Sequence, residues 1–271
     1  MKLAQLSDIH FGVEDHVALK EAETVINREA PDALLVCGDV TQRGKRSEFD
    51  AARNWIDQFS MPKLVVAGNH DTPLLNLAKR VTAPFERFER SFRGLTKPLD
   101  LCGLLFVGLN TARGWQARRN WAEGSVNLKA LSGITAHTHR TVLVCHHPFV
   151  SPPDTPLRTH TRRGLAADRL LKQSNVQLLL CGHVHSPTCE LRKGTGADNG
   201  YIAVTAGTLS RRLRQAPPSL NLIHISKEDV SIDVMRLDGS NTAPKRIGYF
   251  PTHIRPEQPG QQTKFPGPVH L

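Results

Sequence analysis

Five apolar runs in this chain each end in a short block of cation-binding side chains, a pattern that fits only folds in which several strand ends meet. Lys2 to Leu6 runs into Ser7-Asp8-Ile9-His10, and Ala33 to Cys37 into Gly38-Asp39. Lys63 to Ala67 leads to Gly68-Asn69-His70-Asp71, Thr141 to Cys145 to His146-His147-Pro148, and Gln177 to Cys181 to Gly182-His183-Val184-His185. A site assembled from strands so far apart belongs to one domain, and the reading places that domain over residues 1–250.

Several runs are continuously apolar, as expected of strands covered on both faces. Leu104 to Leu109, Tyr201 to Ala206, Leu220 to Ile225 and Val230 to Met235 complete the strand set. Between the early strands, Val17, Ala18, Ala22, Val25 and Ile26 recur at helical spacing, as do Phe49, Ala52, Trp55, Ile56 and Phe59. Ser47 is the expected amino-terminal cap of the second helix. Strand and helix alternate as in an α/β domain whose sites lie at the carboxyl ends of strands.

From about residue 187 the pattern changes to strands and short turns, with Asp198-Asn199-Gly200 read as a hairpin turn and the second half as antiparallel. Two sheets packed face to face with helices outside accommodate both halves. The stretch 251–271 is rich in Pro, Gly and Gln and reads as a loosely held tail.

The chain is 39% hydrophobic and has no apolar stretch long enough to span a bilayer. The amino terminus runs straight into a charged block without the core of a signal peptide, so the sequence predicts a cytoplasmic protein. Cys37, Cys145 and Cys181 close apolar runs and read as small buried hydrophobes in a reducing compartment. A net charge of +10 favours anionic partners, among which phosphate esters, nucleic acid and anionic lipid all remain open.

Asp8 and His10 are one residue apart, so on an extended strand both face one side and grasp one ion. His183 and His185 repeat that gap. Asp39 has two oxygens and is able to bridge two cations, while Asn69 offers a neutral oxygen where further carboxylates would overcompensate the metal charge. Singly, Asp39 reads equally as a helix cap, Asn69 as a turn residue and His146 as a core histidine. Together at strand ends they read as a metal site.

This ordered set resembles the calcineurin-like metallophosphoesterase superfamily over residues 1 to about 210. The resemblance implies an α/β fold, a four-layer α/β/β/α sandwich of two mixed sheets with a dinuclear metal site at the strand ends. It implies that Asp8, His10, Asp39 and His185 hold one divalent metal ion, and Asp39, Asn69, His146 and His183 the second. It further implies that His70 lies over the substrate phosphate as general acid, oriented by Asp71. His146 is taken as the ligand in preference to His147 on the family pattern. Mn, Fe or Zn suit such N/O ligation better than Ca. The expected reaction is in-line attack of a metal-bridged hydroxide on a phosphoester.

Within the superfamily the blocks look most like the bacterial cyclic-nucleotide phosphodiesterases, implying a small phosphodiester substrate contacted by Asn69 and His70. Arg113, Arg118, Arg119, Arg158, Arg162 and Arg163 crowd two loops, with Trp115 and Trp121 interrupting the first, and Arg113, Arg158 and Arg162 are candidate substrate contacts. Three alternatives stand beside this: a nuclease using the basic charge and Trp115, a lipid or nucleotide-sugar pyrophosphate hydrolase in peripheral contact with a membrane, and a non-catalytic scaffold. An apolar patch at Pro84, Phe85, Phe88 and Phe92 serves the second, although its helical spacing also suits a core face.

Overall fold

A computed structural model of the chain describes residues 1–74, 76–115, 120–195, 200–240 and 242–251. In chain order the first half runs β1 (Lys2–Leu6), α1 (His16–Glu29), β2 (Ala33–Val36), α2 (Arg46–Asp57), β3 (Lys63–Val65), α3 (Leu77–Thr82), α4 (Glu86–Ser91), β4 (Leu99–Leu101), β5 (Leu104–Gly108) and β6 (Gly124–Ser125). Then follow α5 (Leu128–Thr135), β7 (Arg140–Val144), β8 (Thr161–Arg162), α6 (Gly164–Leu171), β9 (Val176–Cys181), β10 (Thr188–Lys193), β11 (Gly200–Thr205), β12 (Ser219–Ile225), β13 (Asp229–Arg236) and β14 (Lys245–Pro251).

Two six-stranded sheets result, ordered β14-β13-β12-β1-β2-β3 and β10-β11-β9-β7-β5-β4. Both are mixed. In the first, β1, β2 and β3 are parallel and β12 to β14 antiparallel; in the second, β11, β9, β7 and β5 are parallel with an antiparallel strand at each edge.

Period-two alternation along β1 decides which layer each side chain joins. Leu3 packs in the core between the sheets with Leu35, Leu64, Phe106, Val142 and Leu180. Ala4 and Leu6 face the opposite way, onto α1 and α2. The second sheet turns Leu143, Leu179 and Tyr201 onto α5 and α6. Helix, sheet, sheet, helix is the layer order the resemblance implies. Phe88 and Phe92 are buried against Phe49, so that apolar patch is a core face. All five cysteines are free, and Cys37, Cys145 and Cys181 are buried as expected.

Several local expectations need correction. Helix α2 starts at Arg46, ahead of Ser47, because the Glu48 carboxylate accepts from Arg43 N and Lys45 N and draws the helix start back. Val17 is 56% exposed, since the buried stripe of α1 runs through Ala18, Leu19, Ala22, Val25 and Ile26. The second half is not wholly antiparallel, because β11 returns to pair parallel with β9. Asp198 and Asn199 of the expected turn, and the tail beyond Pro251, lie outside the described residues. No helix among the described residues is long and apolar enough to cross a membrane.

Candidate metal centre

The carboxyl ends of β1, β2, β3, β7 and β9 meet at one end of the two sheets, and the loops leaving them carry the seven expected ligands. Five of these (Asp8, His10, Asp39, His183 and His185) have positive φ, between 50° and 70°. The expectation of extended backbone at Asp8-x-His10 and His183-x-His185 is therefore corrected: β1 stops at Leu6, and left-handed turns aim these side chains. Asp and His tolerate this region better than most residues, yet each position costs roughly 1–3 kcal/mol unless the surroundings impose it. Backbone hydrogen bonds impose it here, from Asp8 N to Gly38 O and from His10 N to Asp39 O, each 3.0 Å.

Histidine orientation is set by backbone carbonyls. Nδ1–H donates to Thr41 O from His10 (3.3 Å), to Cys37 O from His146 (2.8 Å), to Arg212 O from His185 (2.6 Å) and to Gln42 O from His70 (2.8 Å). Each bond fixes the tautomer that leaves Nε2 with a lone pair. His147 differs, since Thr111 Oγ1 and Ala122 O, both at 3.0 Å, engage its two nitrogens.

Those lone pairs converge with carboxylate oxygens. Asp8 Oδ1 is buried without a hydrogen-bond partner, 3.1 Å from His185 Nε2 and 3.7 Å from His10 Nε2. The two Nε2 atoms are 3.4 Å apart. Asp39 Oδ2 lies 3.3 Å from His146 Nε2 and 3.8 Å from His10 Nε2, and Asn69 Oδ1 is 3.2 Å from His146 Nε2. The His183 ring stacks edge-on to His146 at 5.2 Å. Lone pairs facing one another in a buried site repel unless a cation lies between them, so the donor set fits divalent metal. Mixed N and O donors suit borderline transition metals.

The charge states agree for His10 and His183, whereas His146 carries a proton that a cation would have to displace. Burial, against the opposing pull of Asp39 and Asp8, lowers His10 to about 3; burial and the charge of His146 lower His183 to about 3. Both imidazoles are then neutral ligands at pH 7. Burial alone would lower His146, but the Asp39 carboxylate prevails and raises it to about 10. Burial would likewise raise Asp39 and Asp8, but His146 holds the first and His185 the second below the usual carboxylate range.

Asp71 does not orient His70, which corrects that expectation. Its carboxylate accepts from Gly68 N, Thr41 N, Thr41 Oγ1 and Val40 N, tying the loop after β2 to the loop after β3. Both His70 ring nitrogens have other partners: Nδ1 meets Gln42 O, and Nε2 accepts from Arg212 Nη1 at 2.8 Å. Successive side chains diverge in the turn, so Asp71 points beneath the loop while His70 faces the cleft.

That cleft, of about 210 Å³, has Asp39, Asn69, His70, His183 and His185 in its lining, with Arg158, Arg212 and Arg214. Arg113 and Arg162 are not among its lining residues, and Arg118 and Arg119 lie outside the described residues. Sequence reasoning missed Arg212 and Arg214. Their signal was present, because Arg211-Arg212-Leu213-Arg214 follows a strand end as the other blocks do, but the run contains no metal-ligand side chain.

Gly182 lets two of these loops touch. A Cβ there would sit 1.7 Å from Ser7 Oγ and 2.6 Å from Asp8 Oδ2. The Gly182→Ala protein should lose about 1–3 kcal/mol of stability through overpacking, and metal affinity by roughly 10–100-fold through the displaced ligand support. Thermal unfolding and metal titration measure both, and unchanged values would show that this contact is not needed.

The family profile described as Calcineurin-like phosphoesterase matches residues 1–187. A glycerophosphodiester phosphodiesterase of Enterobacter lignolyticus is 35% identical over 80% of this chain and 79% of its own. A cAMP/cGMP dual specificity phosphodiesterase of Mycobacterium tuberculosis is 25% identical over 81% of this chain and 70% of its own. A probable cyclic nucleotide phosphodiesterase of a Synechococcus strain matches over 27% of this chain and 32% of its own length. Among solved structures, a purple acid phosphatase from yellow lupin superposes with a TM-score of 0.58 at 11% identity, over 90% of this chain and 52% of that one, a likeness of fold alone.

Proposed function

This chain belongs to the calcineurin-like phosphoesterase family, a group of metal-dependent hydrolases, and from that membership we propose that it hydrolyses small anionic phosphodiesters of the cyclic-nucleotide kind at a pair of divalent cations. The observation that carries the reading is the unpartnered Asp8 Oδ1 facing the Nε2 atoms of His10 and His185, a buried arrangement with no purpose in a plain core. Asp8, His10, Asp39 and His185 would hold one cation, and Asp39, Asn69, His146 and His183 the other. Diester chemistry is favoured because the relatives from E. lignolyticus and M. tuberculosis are both named as phosphodiesterases.

When bound, two such cations polarise the phosphoryl oxygens and acidify a water so that it attacks phosphorus at neutral pH. The chain's own groups do the rest. Thr41 O, Cys37 O and Arg212 O keep three imidazoles in the ligating tautomer. Gln42 O holds His70 so that Nε2 faces the cleft, where it donates a proton to the departing oxygen. A substrate oxygen that accepts from Arg212 in place of His70 Nε2 frees that nitrogen to take up the proton it delivers.

Hydrolysis of bis-p-nitrophenyl phosphate should exceed that of p-nitrophenyl phosphate in kcat/KM with added manganese. Activity should disappear on chelation and return when manganese is restored. Monoester preference would overturn the diester reading, and inertness toward both compounds would favour a scaffold.

A further inference from the structure

The loop between β11 and β12 delivers two guanidinium groups to the cleft, and the loop after β7 delivers a third. Arg212 is the fixed one: its Nη1 donates to His70 Nε2 at 2.8 Å and approaches Gln42 Oε1 at 3.4 Å. Arg214 shares the cleft with it, and burial together with the charge of Arg212 lowers Arg214. Arg158 stands in the same lining. None of the three forms an ion pair with a carboxylate among the described residues. Among the described residues, the lining has two carboxylates, Asp39 in the metal centre and Glu123, which faces His160 at 3.7 Å.

Like charges gathered in a partly desolvated cleft repel, and an anionic ligand is what removes the cost. The reacting phosphoryl group is not enough to balance them. Two divalent cations already outweigh the carboxylates of Asp8 and Asp39 by two charges, whereas a cyclic nucleotide brings a single negative charge. Three further guanidinium groups are therefore surplus for a singly charged diester, and guanidinium is the side chain whose planar fork suits phosphate oxygens.

Resting on the diesterase reading, we propose that Arg158 and Arg214, with Arg212 at the boundary to the metal centre, form a second anion subsite, and that the substrate is a phosphodiester bearing an additional phosphate-like group. The subsite sets substrate choice. Its pull is exposed to solvent and weakens as ionic strength rises.

The test compares the p-nitrophenyl ester of thymidine 5′-phosphate with the same compound carrying a 3′-phosphate, using the full chain with manganese. The 3′-phosphorylated substrate should have the higher kcat/KM by roughly tenfold or more, as expected for hydrogen bonds to a charged group. Arg158→Gln and Arg214→Gln should each reduce that ratio, and the double variant should bring it close to unity, with thermal unfolding confirming that the variants fold. Equal efficiency toward the two substrates in the unaltered protein would overturn the proposal alone. So would variants that lower both activities by the same factor. Failure to hydrolyse either substrate would overturn the diesterase reading and this proposal with it.

Discussion

Replacing Asp39 by Asn is expected to reduce diester hydrolysis on the order of 10⁴-fold or more, the scale seen when one member of a concerted catalytic set is removed. Asp39 approaches both halves of the cluster, with Oδ2 at 3.3 Å from His146 Nε2 and 3.8 Å from His10 Nε2. Its Oδ1 also accepts from His70 N at 2.8 Å, so it positions the loop bearing the proposed general acid. An amide of the same shape removes the negative charge and places an NH₂ group against a lone pair. Metal content by elemental analysis should fall from two ions per chain to one or none. Secondary structure by circular dichroism should persist, because the sheet cores lie in the layers beneath. A variant with two ions and undiminished turnover would remove Asp39 from the centre of this account.

Much of this architecture was legible because burial on both faces of a strand leaves a continuous apolar run, as at β2 and β9. Every strand expected from such runs exists, with ends shifted by a residue or two. Of the missed strands, β4, β10 and β14 lie at sheet edges, where burial is partial and the apolar signal correspondingly weak, and β6 and β8 are two residues each and pair only with one another. The site was legible as composition but not as conformation. Asp8-x-His10 suggests an extended strand, whereas the structure uses positive φ at both residues, a choice dictated by hydrogen bonds to a neighbouring loop. The same blindness to long-range partners explains Asp71. Adjacency to His70 suggests a pair, while its four donors come from Gly68, Val40 and Thr41. Arg212 and Arg214 went unnoticed for a related reason. Nothing local distinguishes a cleft arginine from a solvated one until β11 is seen to join β9 and bring its loop to the site.

The second large effect should come from His70→Ala, and its size should depend on the leaving group. Loss of a positioned general acid costs roughly 10²–10⁴-fold when the departing oxygen needs a proton. A p-nitrophenolate leaves readily without one. A cyclic nucleotide or an alkyl diester should therefore lose far more kcat than bis-p-nitrophenyl phosphate does. Both His70 ring nitrogens are engaged, by Gln42 O and Arg212 Nη1, and His70 is outside the Asp8, His10 and His185 cluster, although it lies with His10 and Asp39 in another group able to hold a cation. Metal stoichiometry should stay at two in the variant, separating it from Asp39→Asn. Removing His70 also takes away the partner of Arg212 Nη1, so the KM for anionic diesters should fall or hold as that guanidinium turns wholly to substrate. Equal losses toward alkyl and p-nitrophenyl diesters would mean that His70 stabilises charge on the phosphoryl oxygens, and the proton for the leaving group would then have to come from elsewhere.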